Sequence, residues 1–282
     1  MGLKFALIGS PIGHSVSPYI HAAGLKSLGL DGTYEALDTP AEDLIQRIKY
    51  LKVNDYKGFN ITIPLKVPMK LFLDGADELA NVSGCVNTIL IRDDKSFYGY
   101  NTDVYGFKTA IPEDIQKSLK SKSVSIIGTG GASRAAVVAF TQLGVAKINL
   151  FTRNIINASE LVKYYRETFP NVEFNIFQKS STGELFKSAM IVNASPVGMK
   201  GYSADEMPLS LQVLYEMPKD VIIYDIVYNP IKTKLIEKSK EFGLQTISGL
   251  DMLVYQAQKA IEIWTGKEPN FDKMKIAALE NL

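Results

Sequence analysis

The segment Ser123–Phe140 constrains the fold of this 282-residue chain more than any other. It begins with the apolar run Ser-Val-Ser-Ile-Ile, passes through Gly128-Thr-Gly-Gly-Ala132 and continues as Ser-Arg-Ala-Ala-Val-Val-Ala-Phe. This order predicts a buried strand, a tight turn and a helix. A second apolar run, Lys147–Phe151, follows where a parallel strand would return after a helical crossover. The segment therefore predicts a βαβ unit and, with it, a parallel sheet.

The glycine-rich turn of this unit is suited to receive a phosphate. Gly128 permits the tight turn, while Gly130 and Gly131 remove side chains where a pyrophosphate would approach. The helix from about Ala132 directs free N–H groups and its positive dipole end toward the turn. Ser133 takes the place of the third glycine of the Rossmann dinucleotide fingerprint. Strand, turn, helix and second strand together favour a dinucleotide site over a glycine-rich turn without a ligand.

The end of the second strand bears on which dinucleotide is bound. An NAD site usually has an acidic residue here for the ribose 2′-hydroxyl, whereas this chain has Thr152-Arg153-Asn154. A guanidinium can pair with a 2′-phosphate through two parallel hydrogen bonds. Arg153 therefore favours NADP over NAD, with a solvated surface arginine as the alternative.

Composition removes several classes of function. The chain carries 31 basic and 30 acidic residues, a net charge of +1, so it has no general attraction to nucleic acid or to a membrane. No apolar run reaches the ~18 residues of a membrane span. One cysteine and two histidines do not make a usual zinc site, and no metal is expected. The single cysteine fits a reducing cytoplasm, and Lys, Asp or Tyr is expected to move protons.

Short apolar runs alternate with longer amphipathic stretches along the chain, which predicts an α/β protein with largely parallel sheets. Asp74–Asn81 is one of the predicted helices. The polar stretch Ile111–Ser123, which contains Pro112, predicts a boundary between two α/β halves.

Small polar residues gather in the first half of the chain. Ser15 and Ser17 stand just before a predicted helix, and one of them is expected to cap it. Asn60 and Thr62 alternate on a predicted strand, where buried polar groups need partners. Binding residues collect in loops at strand ends, which is where the rest of the group lies: Lys66, Asn87, Asn101 and Asp103.

These motifs resemble the shikimate dehydrogenase family, in the same order and across nearly the whole chain. They are Ser10-Pro-Ile-Gly-His-Ser-Val-Ser-Pro18, Asn60-Ile-Thr-Ile-Pro-Leu-Lys66, Gly84-Cys-Val-Asn-Thr88, Asn101-Thr-Asp103, Gly128-Thr-Gly-Gly-Ala-Ser-Arg134, Asn193-Ala-Ser-Pro-Val-Gly-Met199, Asp225-Ile-Val-Tyr-Asn-Pro230 and Gly249-Leu-Asp-Met-Leu-Val-Tyr-Gln-Ala257. Agreement in eight ordered motifs is far more than chance produces.

The resemblance implies reversible, NADPH-dependent reduction of 3-dehydroshikimate to shikimate, a step in aromatic amino-acid biosynthesis. It implies that Lys66 and Asp103 are the catalytic pair. A cation can stabilise and protonate the alkoxide that forms when hydride reaches a ketone. Ser15 and Ser17 would hold the substrate carboxylate. The ring hydroxyls would be held by Thr62, Lys66, Asn87, Asp103 and Gln256, with Asn60 and Tyr228 lining the same pocket.

The resemblance also implies the cofactor residues. Asn157 stands where NADP-using members often carry a second basic residue, which weakens the expected preference for NADP. The pyrophosphate would lie against Gly128, Thr129, Gly130, Gly131 and Ala132, the adenosine phosphate against Thr152, Arg153 and Asn154, and the nicotinamide along Ser195, Ile226 and Gly249, with Glu78 as a neighbour.

The family architecture implies two α/β domains with a cleft between them. Residues 1–103 and 249–282 would form a substrate domain with a mainly parallel sheet, and residues 104–248 a Rossmann-like NADP-binding domain. A monomer or a homodimer is expected. Two other functions remain: a quinate/shikimate dehydrogenase with relaxed use of NAD and NADP, and a non-catalytic dinucleotide-binding regulatory module. The presence of Lys66 with Asp103 argues against the second.

Overall fold

A computed structural model describes residues 2–282, apart from the side chain of Asn157, whose expected role lies outside the described part. The strands within these residues are β1 (Leu3–Gly9), β2 (Gly32–Asp38), β3 (Gly58–Ile61), β4 (Gly75–Ala76), β5 (Thr88–Ile91), β6 (Phe97–Tyr100), β7 (Ser123–Ile127), β8 (Lys147–Thr152), β9 (Glu173–Gln178), β10 (Met190–Asn193), β11 (Ile222–Asp225) and β12 (Gln245–Ser248). The α-helices are α1 (Ser17–Ser27), α2 (Leu44–Val53), α3 (Glu78–Ser83), α4 (Thr102–Thr109), α5 (Glu113–Ser118), α6 (Gly131–Gln142), α7 (Ile155–Thr168), α8 (Leu211–Glu216), α9 (Lys234–Glu241), α10 (Gly249–Thr265) and α11 (Phe271–Glu280). In this described range, no helix is both long and apolar enough to cross a membrane.

Two compact units make up the chain. The first contains the residues up to Gly106 and those from Leu253 onward, and the second contains Phe107–Met252. The chain passes from one unit to the other inside α4 and again inside α10. The expected boundary at Ile111–Ser123 is therefore wrong. That stretch contains α5, because Ile115 and Leu119, four residues apart on one helical face, are both buried in the second unit.

The first unit is built on a mixed sheet of six strands among the described residues, in the order β2-β1-β3-β5-β6-β4. β1 runs parallel to β2 and β3, whereas β5 runs antiparallel to β3 and β6. The helix predicted for Asp74–Asn81 is confirmed only from Glu78, where α3 begins, and its predicted start is wrong because the short strand β4 lies there. The cause is Asp77, whose carboxylate accepts a hydrogen bond from the backbone N of Ala80 at 2.7 Å and so caps the later helix start.

The second half of α10 packs in the first unit. The indole ring of Trp264 stacks on Phe5 with 4.5 Å between ring centroids. Its Nε1 also donates to the carbonyl oxygen of Ile89 at 2.9 Å, which ties the helix to the sheet. α11 then packs against α1, where the absent side chain of Gly24 leaves room for Met274.

The second unit has a wholly parallel sheet of six described strands, in the order β12-β11-β10-β7-β8-β9. From β7 the chain fills the sheet in one direction through β8 and β9, and then in the other direction from β10 to β12. The strand order therefore reverses between β7 and β10. In open α/β sheets, ligands bind outside the carboxyl ends of the strands at such a reversal. Together the two sheets confirm the predicted two-part α/β fold class.

Candidate active site

Lys66 and Asp103 form an ion pair in the first unit, with 2.5 Å between Nζ and Oδ2. Lys66 lies in the loop after β3, where its carbonyl oxygen accepts a hydrogen bond from the backbone N of Val86 at 2.9 Å. Asp103 lies in the first turn of α4. The lysine side chain is 18% exposed and the aspartate side chain 8%. The pair is thus sheltered from bulk solvent, while part of the lysine stays within reach of a ligand.

Asn87 holds the other oxygen of this aspartate. Its Nδ2 lies 2.9 Å from Asp103 Oδ1, 2.9 Å from Thr102 Oγ1 and 3.4 Å from Gln256 Oε1. Its Oδ1 accepts from the backbone N of Thr102 at 2.8 Å. Both carboxylate oxygens of Asp103 therefore have a partner, which fixes the direction in which the carboxylate faces Lys66.

Asn60 supports Asn87 from the adjacent strand. Its Nδ2 donates to the carbonyl oxygen of Asn87 at 3.1 Å and to Thr88 Oγ1 at 2.8 Å. Its Oδ1 accepts from the hydroxyl of Tyr34 at 2.8 Å. The polar residues predicted on this strand thus find buried partners. The sequence did not identify three of these partners as site residues: Thr102, Thr88 and Tyr34. The two threonines nevertheless lie inside motifs that the chain shares with the family.

The ring of His21 continues the chain of contacts toward α1. It stacks on Tyr34 with 3.9 Å between ring centroids, and its Nδ1 lies 2.9 Å from the carbonyl oxygen of Ser17. Burial lowers the pKa of His21 from 6.5 to about 4. The imidazole is therefore neutral near pH 7 and donates its Nδ1–H to Ser17. An unbroken series of contacts now runs from Ser17 to Lys66.

The two serines face each other at the start of α1. Ser15 Oγ lies 3.1 Å from Ser17 Oγ and accepts from the backbone N of Ser17 at 3.3 Å. The expected N-cap role is wrong, because Val16 occupies the N-cap position and no side chain caps the helix. Thr62, just after β3, is anchored by its backbone N, which donates to the carbonyl oxygen of Ile8 at 2.9 Å.

The glycine turn in the second unit has the shape that a phosphate requires. Gly128 has φ +113°, and a Cβ there would lie 2.9 Å from the carbonyl oxygen of Ala194. Apart from its two chain neighbours, no atom of the described residues lies within 4 Å of a Cβ built on Gly130. α6 begins at Gly131, directly after this open space. The turn joins β7 to α6 at the reversal in strand order, so its residues fit the pyrophosphate of a dinucleotide.

Asn193 shapes the loop after β10, beside the glycine turn. Its Oδ1 accepts from the backbone N of Ser195 at 3.1 Å and from Ser195 Oγ at 2.7 Å. Its Nδ2 donates to Asp225 Oδ1 at 2.9 Å, and Asp225 Oδ2 accepts from Thr233 Oγ1 at 2.6 Å. Burial raises the pKa of Asp225 from 3.8 to about 6, although the hydrogen bonds from Thr233, Val227 and Asn193 oppose the rise.

Leaving aside Asn157, the other predicted cofactor residues lie at carboxyl ends of neighbouring strands, with one exception. Gly249 follows β12, and a Cβ there would collide with the carbonyl oxygen of Ile226 after β11. Asn154 follows β8, where its backbone N donates to Thr152 Oγ1 at 3.1 Å. The exception is Glu78, which begins α3 in the first unit and is exposed.

Tyr228 belongs to a different unit from the other predicted substrate residues. It follows β11 in the second unit, whereas the remaining members of that group belong to the first. Burial raises the pKa of its hydroxyl.

Known proteins match this chain over its full length. Residues 7–89 match the model of the shikimate dehydrogenase substrate binding domain, and residues 249–279 match that of the shikimate 5′-dehydrogenase C-terminal domain. The NADP(+) shikimate dehydrogenase of Bacillus subtilis is 37% identical over 278 residues, which cover 99% of this chain and 97% of the relative. The chain belongs to the shikimate dehydrogenase family.

Solved structures agree with this family membership. A crystal structure of a shikimate dehydrogenase in complex with NADP+ has a TM-score of 0.89 and 35% identity, covering 99% of this chain and 95% of the other. The Thermus thermophilus shikimate 5-dehydrogenase in complex with NADP(H) and shikimate has a TM-score of 0.85 and 33% identity, covering 99% and 100%. A quinate dehydrogenase from Corynebacterium glutamicum in complex with NAD, 27% identical, also has a TM-score of 0.89 and covers 99% of both chains.

Proposed function

We propose that this member of the shikimate dehydrogenase family catalyses the reversible, NADP(H)-dependent reduction of 3-dehydroshikimate to shikimate. The observation that carries the proposal is the sheltered ion pair of Lys66 with Asp103, held within a network of amides and hydroxyls in the first unit. A wholly parallel sheet with a glycine turn at its reversal supplies the matching dinucleotide site in the second unit. The resemblance to proteins named shikimate dehydrogenase supports the choice of substrate.

Lys66 is the residue we assign to proton transfer. When bound, NADPH would supply hydride to the carbonyl carbon of the substrate. The ammonium of Lys66 would donate a proton to the carbonyl oxygen as it becomes a hydroxyl, and would take that proton back during oxidation. Its positive charge also stabilises the negative charge that builds on this oxygen. Asp103 orients Nζ through the 2.5 Å contact, and Asn87 in turn fixes Asp103.

The remaining polar groups of the first unit would recognise the substrate. The hydroxyls of Ser15 and Ser17 suit a carboxylate, because both can turn their O–H toward it. Thr62, Asn87 and Gln256 would hold ring hydroxyls, with Asn60 completing the pocket wall. Tyr228, the remaining substrate residue that the resemblance implies, belongs to the second unit.

The cofactor residues of the second unit fit NADP(H). The turn Gly128–Ala132 would hold the pyrophosphate, and Ser195, Ile226 and Gly249 would border the nicotinamide. Glu78, the further cofactor residue that the resemblance implies, belongs to the first unit. Arg153 would pair with the 2′-phosphate, together with Thr152 and Asn154, and Asn157 would lie close by. We also propose a cytoplasmic location, because Cys85 is the only cysteine of the chain, so no disulfide can form within it, and this fits a reducing compartment. A monomer or homodimer remains the expected assembly.

The decisive test is a spectrophotometric assay of purified protein with shikimate or quinate, each with NADP+ and with NAD+. The proposal predicts the highest kcat/KM for shikimate with NADP+. Comparable values for quinate, or for NAD+, would favour a quinate/shikimate dehydrogenase with relaxed cofactor use. Binding of NADPH without any turnover of 3-dehydroshikimate would instead indicate a non-catalytic module and overturn the proposal.

A further inference from the structure

The carboxyl ends of β8 and β9 lie side by side in the second unit. Thr152, the last residue of β8, pairs with Gln178, the last residue of β9. The backbone N of Lys179 then donates to the carbonyl oxygen of Thr152 at 3.1 Å. This bond places Lys179 directly beside the backbone that leads into Arg153.

An open cavity of about 510 Å³ lies at these two strand ends. Its volume is within the usual range for ligand pockets, roughly 300–1,000 Å³. Its lining combines two cationic with three neutral polar side chains and contains no acid: Thr152, Arg153, Gln178, Lys179 and Ser180. A pocket of this kind favours an anion.

Neither cation of the cavity is neutralised by a neighbouring carboxylate. Among the side chains that the structure describes, the ion pairs do not include Arg153 or Lys179. The nearest acid along the chain from Lys179 is Glu184, and its carboxylate is paired with Lys187 at 2.6 Å. Two cations lining one cavity repel each other unless an anion comes between them.

The position of the cavity identifies the anion. β8 is the second strand of the βαβ unit that contains the glycine turn. In such folds, residues at the carboxyl end of this strand bind the 2′ group of the adenosine ribose. A phosphate monoester carries about −1.5 to −2 charges at pH 7. One guanidinium balances only part of that charge, so a second cation would further stabilise the bound phosphate.

We infer that Lys179 is a second cation for the 2′-phosphate of NADP(H), acting together with Arg153 across the ends of β8 and β9. This inference rests on the proposed NADP(H) dependence and extends it to a specificity-determining residue. The sequence offered no signal for Lys179, because it is 26 positions from Arg153 and becomes its neighbour only through strand pairing.

The test is direct binding of NADPH and of NADH to the whole protein, measured by calorimetry without substrate. We expect Lys179→Gln to raise the Kd for NADPH by about tenfold and to leave the Kd for NADH within about twofold. Lys179→Arg should retain most of the NADPH affinity. Lys187→Gln is the matched control, because it removes the same charge from an exposed lysine of the same unit that is already paired.

A second arm uses fragments to separate the 2′-phosphate from the rest of the cofactor. Adenosine 2′,5′-bisphosphate should lose affinity in Lys179→Gln by about the same factor as NADPH, whereas 5′-AMP should not. Added salt should shrink the difference between variant and wild type, since mobile ions screen these exposed charges.

The outcomes separate this inference from the proposed function. If the wild type prefers NADPH over NADH and Lys179→Gln keeps that preference, the inference is wrong while the proposed function stands. If Lys179→Gln weakens both cofactors equally, Lys179 does not recognise the 2′-phosphate. If the wild type shows no preference for NADPH, the proposed NADP(H) dependence fails together with the inference.

Discussion

At the scale of single residues, the surroundings of an ion pair decide what it can do. Lys95 and Asp55 also form a lysine–aspartate pair in the first unit, at 2.7 Å, but their side chains are 47% and 69% exposed. Water solvates such a pair and weakens its effect on anything nearby. Lys66 and Asp103 are sheltered, and Asn87 fixes the carboxylate. A charge held in this way acts on a substrate without waiting for solvent to reorganise.

We expect Lys66→Ala to lower kcat for shikimate oxidation by about two orders of magnitude or more, which is within the range for general acid–base catalysis. KM for shikimate should change little, because the serines and amides that hold the substrate remain. Steady-state kinetics at saturating NADP+ measures both constants. Lys95→Ala is the control, since it breaks an exposed lysine–aspartate pair of the same unit. Near-normal kcat in Lys66→Ala would remove this lysine from the mechanism.

Some of the polar residues identified from the sequence stand at strand ends or in loops. That rule located Lys66, Asn87 and Asp103, and the structure brings them into contact. It did not locate Tyr34, because its contact with Asn60 depends on the positions of β2 and β3 on either side of β1. The spacing of motifs along the chain does not predict contacts that depend on strand order, whereas it does predict contacts between residues of one motif.

At the scale of elements, two glycines of the turn before α6 meet different requirements. One allows a strained backbone conformation, and the other leaves space for a ligand. Gly128 has the positive φ and the crowded Cβ position, whereas Gly130 has φ −81° and open space around a Cβ. The two glycines are therefore required for different reasons, and alanine variants should report on them separately.

Gly128→Ala should destabilise the fold. A side chain at φ +113° is strained, and its Cβ would lie 2.9 Å from the carbonyl oxygen of Ala194. We expect a loss of at least about 2 kcal/mol in the free energy of unfolding, measured by urea denaturation without cofactor. Unchanged stability would mean that the turn relaxes without cost.

Gly130→Ala should leave the fold nearly as stable as the wild type, within about 1 kcal/mol, because alanine is compatible with its φ. The added methyl group would instead occupy the space proposed for the pyrophosphate. NADPH and NADH should both bind at least about tenfold more weakly in a calorimetric titration. Normal binding of both cofactors would place the pyrophosphate elsewhere.

Elements with a clear apolar pattern were predictable, whereas the shortest strand was not. β7 coincides with the apolar run that predicted it, and α6 begins at Gly131, one residue before its expected start at about Ala132. β4 has only two residues, too few for any pattern. α11 begins where Asn270 accepts a hydrogen bond from the backbone N of Lys273 at 2.9 Å. The sequence allows this N-cap, but the helix also depends on its packing against α1.

At the scale of the whole molecule, each unit contains a buried titratable group, and the two respond to pH in opposite directions. The pKa of His21 falls from 6.5 to about 4, so the first unit gains stability as pH rises through that window. The pKa of Asp225 rises from 3.8 to about 6, so the second unit loses stability between those values as pH rises. Because the two pH dependences have opposite signs, their sum in the free energy of unfolding of the whole chain hides both.

Asp225→Asn should remove the contribution of this carboxyl group to the pH dependence of stability. An asparagine keeps Oδ1 as an acceptor for Asn193 and Val227, and it cannot ionise. A rise of about two pKa units corresponds to about 3 kcal/mol. The variant should therefore gain about 3 kcal/mol of unfolding free energy relative to the wild type between pH 4 and pH 7, measured by urea titrations across that range. Asp94→Asn is the control without this pH dependence, because the hydrogen bonds from Ser96 lower the pKa of Asp94 below its usual 3.8 and the carboxylate stays ionised across the range. A difference between Asp225→Asn and the wild type that stays constant with pH would show that Asp225 titrates alike in the folded and unfolded chains.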